Sequence, residues 1–106
     1  MSVSDLTRKS MEKVGLTNYE IKSFVSLLKS GELTASDLSQ KCGVPYSKIY
    51  EILSSLEEKG WIGSNDARPT KYFAKSPSTA LQTTKQKVET DFGKNEKIIL
   101  NDLSPI

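Results

Sequence analysis

Histidine is absent from the 106 residues, and cysteine occurs once, as Cys42. That inventory excludes a His/Cys zinc site, a Cys-His nucleophile pair, a Ser-His-Asp triad and an internal disulfide. No apolar run approaches the ~20 residues that span a bilayer. The opening Met1-Ser2-Val3-Ser4-Asp5-Leu6 lacks the basic-then-apolar pattern of a secretory leader, so a cytoplasmic location with no membrane contact is expected. A single cysteine agrees with a reducing compartment. Adjacent carboxylates such as Glu57 and Glu58 diverge by about 100° on a helix and share neither a proton nor a metal. Without a nucleophile, an activating base and a pocket in combination, no catalytic residue, metal or cofactor is expected, and no small-molecule effector is evident.

What is present describes a folded domain. A hydrophobic fraction of 36% beside 26% charged residues suits one core with solvated helical surface,. Net charge is only +2. Residues 1–40 hold five basic and five acidic side chains, and residues 76–106 hold four of each. The excess lies in residues 41–75, where Lys41, Lys48, Lys59, Arg68, Lys71 and Lys75 face Glu51, Glu57, Glu58 and Asp66. A locally basic centre in a near-neutral chain is weak support for a nucleic-acid partner.

Capping signals divide the chain. Ser4 caps a short helix over 5–14 carrying Leu6, Met11 and Val14, and Gly15 stops it. Thr17-Asn18-Tyr19-Glu20 is a capping box that opens a helix over 18–30, ended by Lys29-Ser30-Gly31. Thr34-Ala35-Ser36-Asp37 opens a third helix with Ala35, Leu38 and Cys42 turned inward, and Gly43 ends it. After Val44-Pro45, a fourth helix runs from Tyr46 to Lys59 with Ile49, Ile52, Leu53 and Leu56 as its buried stripe. Ser47, Glu51, Ser54 and Glu58 point away from that stripe, and Tyr46, Lys48, Tyr50 and Ser55 lie on its flanks. Two short helices joined by a tight glycine turn predict a helix-turn-helix. Residues 61–64 and 70–74 read as a hairpin around Asn65-Asp66-Ala67-Arg68-Pro69, with Trp61 and Tyr72 in its packed face. Ser76-Pro77 then opens a long helix over 77–103.

In that last helix Leu81, Val88, Phe92, Ile99 and Leu103 recur at spacings of seven and four, while Lys85, Asn95 and Asp102 fill the other seam positions. The stripe is too long for its own short domain to cover. A partner helix from a second copy is the expected cover, and residues 76–106 are expected to form a dimerisation helix beside a domain over 1–75.

Helix, helix, helix, hairpin, helix is the order of a winged helix, giving a mainly α (α+β) fold with an extra N-terminal helix and a long C-terminal one. Gly15-Leu16-Thr17-Asn18-Tyr19-Glu20, Thr34-Ala35-Ser36-Asp37-Leu38, Gly43-Val44-Pro45-Tyr46-Ser47-Lys48-Ile49-Tyr50-Glu51-Ile52-Leu53 and Leu56-Glu57-Glu58-Lys59-Gly60-Trp61-Ile62 together resemble the N-terminal DNA-binding domain of the TrmB family, over about residues 15–80. The Pro-Tyr-Ser-Lys-Ile-Tyr-Glu string is the specific part. The resemblance implies an archaeal-type transcriptional regulator with helix 46–59 in the major groove and hairpin 61–74 as wing. Such regulators commonly add a C-terminal sugar-binding domain; this sequence shows a single helix there, so sugar sensing is not carried over to it.

The expected DNA-contact set is Ser36, Pro45, Tyr46, Ser47, Lys48, Tyr50, Glu51, Ser54, Arg68 and Lys71. Tyr46 and Ser47 sit at the positive end of the helix dipole, suited to a base edge or a phosphate. Lys48 suits a phosphate. Glu51 suits either a cytosine amino group or solvent. Arg68 beside Lys71 suits a minor groove or the backbone. Double-stranded DNA and a second copy are thus the expected partners. A sequence-specific homodimeric regulator is the leading reading. An architectural DNA-binding protein and a protein-interaction winged helix stand beside it.

Overall fold

The computed structural model of the chain describes residues 3–106. Met1 and Ser2, which begin both the opening stretch read above and the expected domain 1–75, lie outside the described residues. Five helices and three short strands follow in the order α1 Asp5–Lys13, α2 Asn18–Ser30, β1 Leu33–Thr34, α3 Ala35–Cys42, α4 Tyr46–Lys59, β2 Ile62–Ser64, β3 Lys71–Ala74 and α5 Pro77–Leu103.

Four of the five helix starts are those the capping residues dictate. Ser4, Thr17, Thr34 and Ser76 each accept a backbone N–H from the first turn of the helix they precede. The box on α2 is complete, because the Thr17 N–H also donates to Glu20 Oε1 at 2.8 Å. Gly60 ends α4 at φ 85° in the left-handed region, a conformation that L side chains adopt at a cost,. Its missing side chain has a second use, since a Cβ there would stand 2.5 Å from Thr83 Cγ2 of α5.

The sheet has one strand more than the hairpin expected from sequence. β1 pairs antiparallel with β3 through Leu33↔Tyr72 and Thr34↔Lys71, giving the order β1-β3-β2. At two residues β1 is too short to show an alternation, so its existence depends on partners 37 and 39 positions away. The hairpin strands also begin one residue later than expected, and Trp61 packs just ahead of β2.

Phe24, Leu27, Leu38, Ile49, Leu53, Leu56, Trp61 and Ile62 fill one core between α2, α3, α4 and the sheet. Phe24 meets Trp61 edge to face at 5.1 Å, a geometry that aligns the positive ring edge with the negative ring face,. The first turns of α5 close this core. Ala80 is fully buried, and the Trp61 indole N–H donates to Thr84 Oγ1 at 3.1 Å. Lys87 donates to the Glu58 carbonyl, clamping α5 on the C-terminal end of α4. Beyond that clamp α5 leaves the domain, and Val88, Phe92, Ile99 and Leu103 are exposed. Leu6 also departs from expectation. It is 77% exposed because 140° of helical arc separates it from Met11, which does pack on the core,.

One buried ionic group ties α2 to α4. Glu20 is 1% exposed, and besides closing the capping box it accepts from Ser55 Oγ at 2.6 Å and from Lys59 Nζ at 2.8 Å. Lys59 also donates to the Gly15 carbonyl at 2.8 Å. Burial pushes the Glu20 carboxyl up, yet the Lys59, Ser55 and Thr17 donors and the Lys59 charge together hold it below its ordinary value. Ser55, expected on an open flank of α4, is thereby turned inward.

Candidate nucleic-acid interface

The turn between α3 and α4 is fixed by two devices. Gly43 takes a left-handed φ of 75°, and Ser39 Oγ donates to the Val44 carbonyl at 2.6 Å across the bend. Pro45 then occupies the N-cap of α4 and has no side chain with which to accept a bond. The first-turn amides of α4 therefore remain without a side-chain cap, at the positive end of a 14-residue helix,.

Burial of Ile49, Leu53 and Leu56 turns the opposite face of α4 to solvent. Ser47, Glu51, Ser54 and Glu58 lie along the middle of that face, with Tyr46 and Tyr50 on one flank and Lys48 on the other; all seven are exposed,. The two tyrosines form a unit. Their rings meet edge to face at 5.8 Å and their hydroxyls lie 3.4 Å apart. The bond from Tyr46, its charge interaction, slight burial and Tyr72 together raise the Tyr50 phenol above its ordinary value. The Tyr50 hydroxyl thus stays neutral and able to donate at physiological pH.

The tyrosine flank faces the wing. Ser36, Tyr46, Tyr50, Pro69, Thr70 and Tyr72 line one cleft of about 250 Å³, which joins the start of α3, the start of α4 and the hairpin. Tyr72 is half-buried there, and its phenol is raised first by that burial and then by Glu57. Arg68, Pro69 and Thr70 form the exposed tip of the hairpin, with Lys71 exposed at the start of β3.

Asn65 builds that tip. Its Oδ1 accepts from the Ala67 N–H at 3.1 Å and the Lys71 N–H at 3.3 Å, and its own N–H donates to the Lys71 carbonyl at 3.0 Å. Its Nδ2 donates to Glu32 Oε2 at 3.2 Å, which anchors the tip to the loop ahead of β1. Ser64 Oγ donates to Glu57 Oε2 at 3.1 Å, which ties β2 to α4.

The ten expected contact residues are all exposed, and Ser36, Tyr46 and Tyr50 are brought together in one cleft. Lys48 stands apart from them across α4. Thr34, Pro69, Thr70 and Tyr72 share the cleft without having been in the expected contact set, Tyr72 having been read as hairpin core, and Asn65 was read only as a turn former. Thr34 and Tyr72 become neighbours through the β1–β3 pairing, which no local pattern announced. The Asn65 offset of two from Ala67 was the available clue, since an Asx side chain favours bonding its own backbone two residues on,.

Comparison with known proteins places these features in a family. The family model described as the sugar-specific transcriptional regulator TrmB matches residues 11–78. The chain is 32% identical over 89 residues to the HTH-type sugar sensing transcriptional regulator TrmBL1 of Pyrococcus furiosus, covering 84% of this chain and 26% of that protein. It is 34% identical over 71 residues to the DNA-binding HTH-type transcriptional repressor TrmBL2 of Thermococcus kodakarensis, covering 67% of this chain and 27% of that one. A solved structure of TrmBL2, described as an archaeal chromatin protein with a novel mode of DNA binding, superposes with a TM-score of 0.67 at 26% identity, over 95% of this chain and 40% of that one. The chain thus spans about a quarter of the length of these curated relatives.

Proposed function

The chain belongs to the TrmB family, and from that premise we propose that it is a sequence-specific double-stranded DNA-binding transcriptional regulator acting as a homodimer. The observation that carries the reading is the exposed, uncapped α4 with hydroxyl groups along its outer face and a positively charged wing beside it. A helix about 10–12 Å wide fills a major groove about 12 Å wide, so its middle face meets base edges and its two flanks meet the two backbones.

Each side chain then has a role. Ser47, Ser54 and Glu51 face the bases, where hydroxyls donate or accept and a carboxylate accepts from a cytosine amino group. Tyr46 and Tyr50 lie where base edges give way to phosphates, and the uncapped amides behind Pro45 receive a phosphate oxygen. Ser36 at the start of α3 donates to the same strand. Lys48, on the far flank, neutralises a phosphate of the other backbone. Arg68 and Lys71 bring the wing onto the adjacent minor groove or its phosphates.

A dimer through Leu81, Val88, Phe92, Ile99 and Leu103 of α5 presents two copies of α4 to successive turns of the duplex, about 34 Å apart. The protein acts at the nucleoid, within the cytoplasm, and this reading gives it no catalytic step, cofactor or effector. The TrmBL2 match favours one second reading, an architectural protein that coats DNA with little sequence preference. Nuclease footprinting across an upstream region distinguishes them. A bounded, two-lobed footprint at low protein supports the regulator; protection that spreads without register supports the coat. Absence of protection at low salt contradicts both.

A further inference from the structure

The cleft between the start of α4 and the wing is rich in hydroxyls and carries no charge. Six of the eight residues that line it bear a hydroxyl, and none is ionic. The hydroxyls of Ser36, Thr70 and Tyr72 are bonded to no other side chain or backbone group among the described residues, and they come from α3, the hairpin loop and β3. Tyr46 and Tyr50 add a pair whose hydroxyls lie 3.4 Å apart, so that one proton of the pair stays available when the other bridges them,. Glu57 acts on Tyr72 by its charge, but it is not among the lining residues, and its Oε2 accepts from Ser64 Oγ on β2. Burial and that charge raise the Tyr72 phenol above its ordinary value, which keeps its hydroxyl protonated and able to donate.

The position of the cleft identifies its occupant. Each sugar–phosphate strand of a duplex separates a major groove from a minor one. With α4 in the major groove and Arg68 on the adjacent minor groove, the strand between them passes over the residues that join helix and wing, which are those of the cleft,. A phosphate offers only acceptors, and hydroxyl side chains are among its ordinary donors. Pro69 and the tyrosine rings supply apolar faces for the sugars on either side. At about 250 Å³ the cleft is smaller than the roughly 300–1,000 Å³ of ordinary small-molecule sites, which suits a strand passing through better than an enclosed ligand,.

Resting on the DNA-binding reading above, we propose that this cleft is a charge-free seat for that strand, in which Tyr72, Thr70 and Ser36, none of them on α4, donate to a phosphate alongside the Tyr46–Tyr50 pair. The seat has a consequence for salt dependence. Salt weakens binding to DNA by opposing the counterion release that Lys and Arg charges drive. Neutral donors neutralise no phosphate, so the affinity they contribute is the same at low and high salt. In a chain of net charge +2, that share is the part of binding that salt does not remove.

Tyr72→Phe combined with Thr70→Val tests the seat, because it deletes two hydroxyls and keeps the Tyr72 ring that packs against the core. The full chain is titrated by anisotropy, at ~50 and ~200 mM salt, against a duplex selected from a randomised pool. The expected result is binding about tenfold weaker at both salts with an unchanged slope of log K against log salt, whereas Arg68→Ala lowers the slope. Equal binding by parent and variant, or a loss confined to low salt, overturns the seat and leaves the DNA reading intact. Failure of the parent to bind any duplex at ~50 mM salt overturns both. A second measurement separates lost contacts from altered folding. Uncharged methylphosphonates replace the phosphates of the duplex one at a time, and at the crossing phosphate the parent should lose much more affinity than the variant, whose donors are already gone. Parallel losses at every phosphate overturn the seat, since the two hydroxyls then meet none.

Discussion

Replacing Glu20 by alanine removes the group on which α2 and α4 converge. Three donors lose their acceptor: the Thr17 N–H, the Ser55 hydroxyl and the Lys59 ammonium. A neutral hydrogen bond contributes about 1 kcal/mol net and one to a charged group about 1.5–3 kcal/mol. Lys59 is 36% exposed and keeps the Gly15 carbonyl, so its share belongs at the low end of that range,. The expected loss is about 3 kcal/mol, or roughly 15 °C in Tm for a chain of this size. Urea unfolding at fixed protein concentration, read by circular dichroism, measures it.

The pH dependence is a separate signature. Because the native carboxyl is held below its ordinary value, its contribution is complete above the ordinary glutamate range, about pH 4, and is lost as pH falls through the native value,. The gap between parent and Glu20→Ala should therefore be full at pH 7 and narrow in acid. A gap under about 1 kcal/mol at pH 7 would refute the assignment of Glu20 as the joint between the helices. One that widens in acid would reverse the sign of the electrostatic argument.

Gly60→Ala places a methyl 2.5 Å from Thr83 Cγ2 in a left-handed backbone, and a loss of about 1–3 kcal/mol is expected in the same unfolding assay,. Adding Thr83→Ala should recover only the steric part; full recovery would show that the backbone conformation carries no cost. Arg68→Ala and Lys71→Ala should each lower duplex affinity and reduce the slope of log K against log salt by about one, measured by anisotropy titration. An unchanged slope in both removes the wing from the contact. Lys48→Ala should weaken all sequences alike, whereas Ser47→Ala or Tyr46→Ala should shift sequence preference. Asn65→Ala should cost about 1 kcal/mol of stability and part of the wing contribution to affinity, because the tip loses three side-chain bonds,.

Local chemistry made most of the fold legible. Thr17, Thr34 and Ser76 act as the caps their spacing implied, and the i, i+3, i+4, i+7 pattern of Ile49, Ile52, Leu53 and Leu56 located the inner face of α4 and with it the outer one. What stayed hidden was non-local. Leu33–Thr34 become a strand only when Tyr72 and Lys71 arrive beside them. Glu20 read as a capping residue, and its second role required Ser55 and Lys59 from a helix more than 30 residues later. The exposed face of α4 followed from helical arc, while the cleft that joins Ser36 and Tyr46 to Thr70 and Tyr72 needed the sheet to bring the wing to the helix.

The central claim is recognition of duplex sequence by two copies of α4. It is tested most directly by retaining a randomised duplex pool on the protein at ~50 and ~200 mM salt and sequencing the bound fraction. The account predicts an enriched motif of two half-sites centred about 34 Å apart, persisting at the higher salt. Retention that vanishes steeply with salt and enriches no sequence, or no retention at the lower salt, would contradict it.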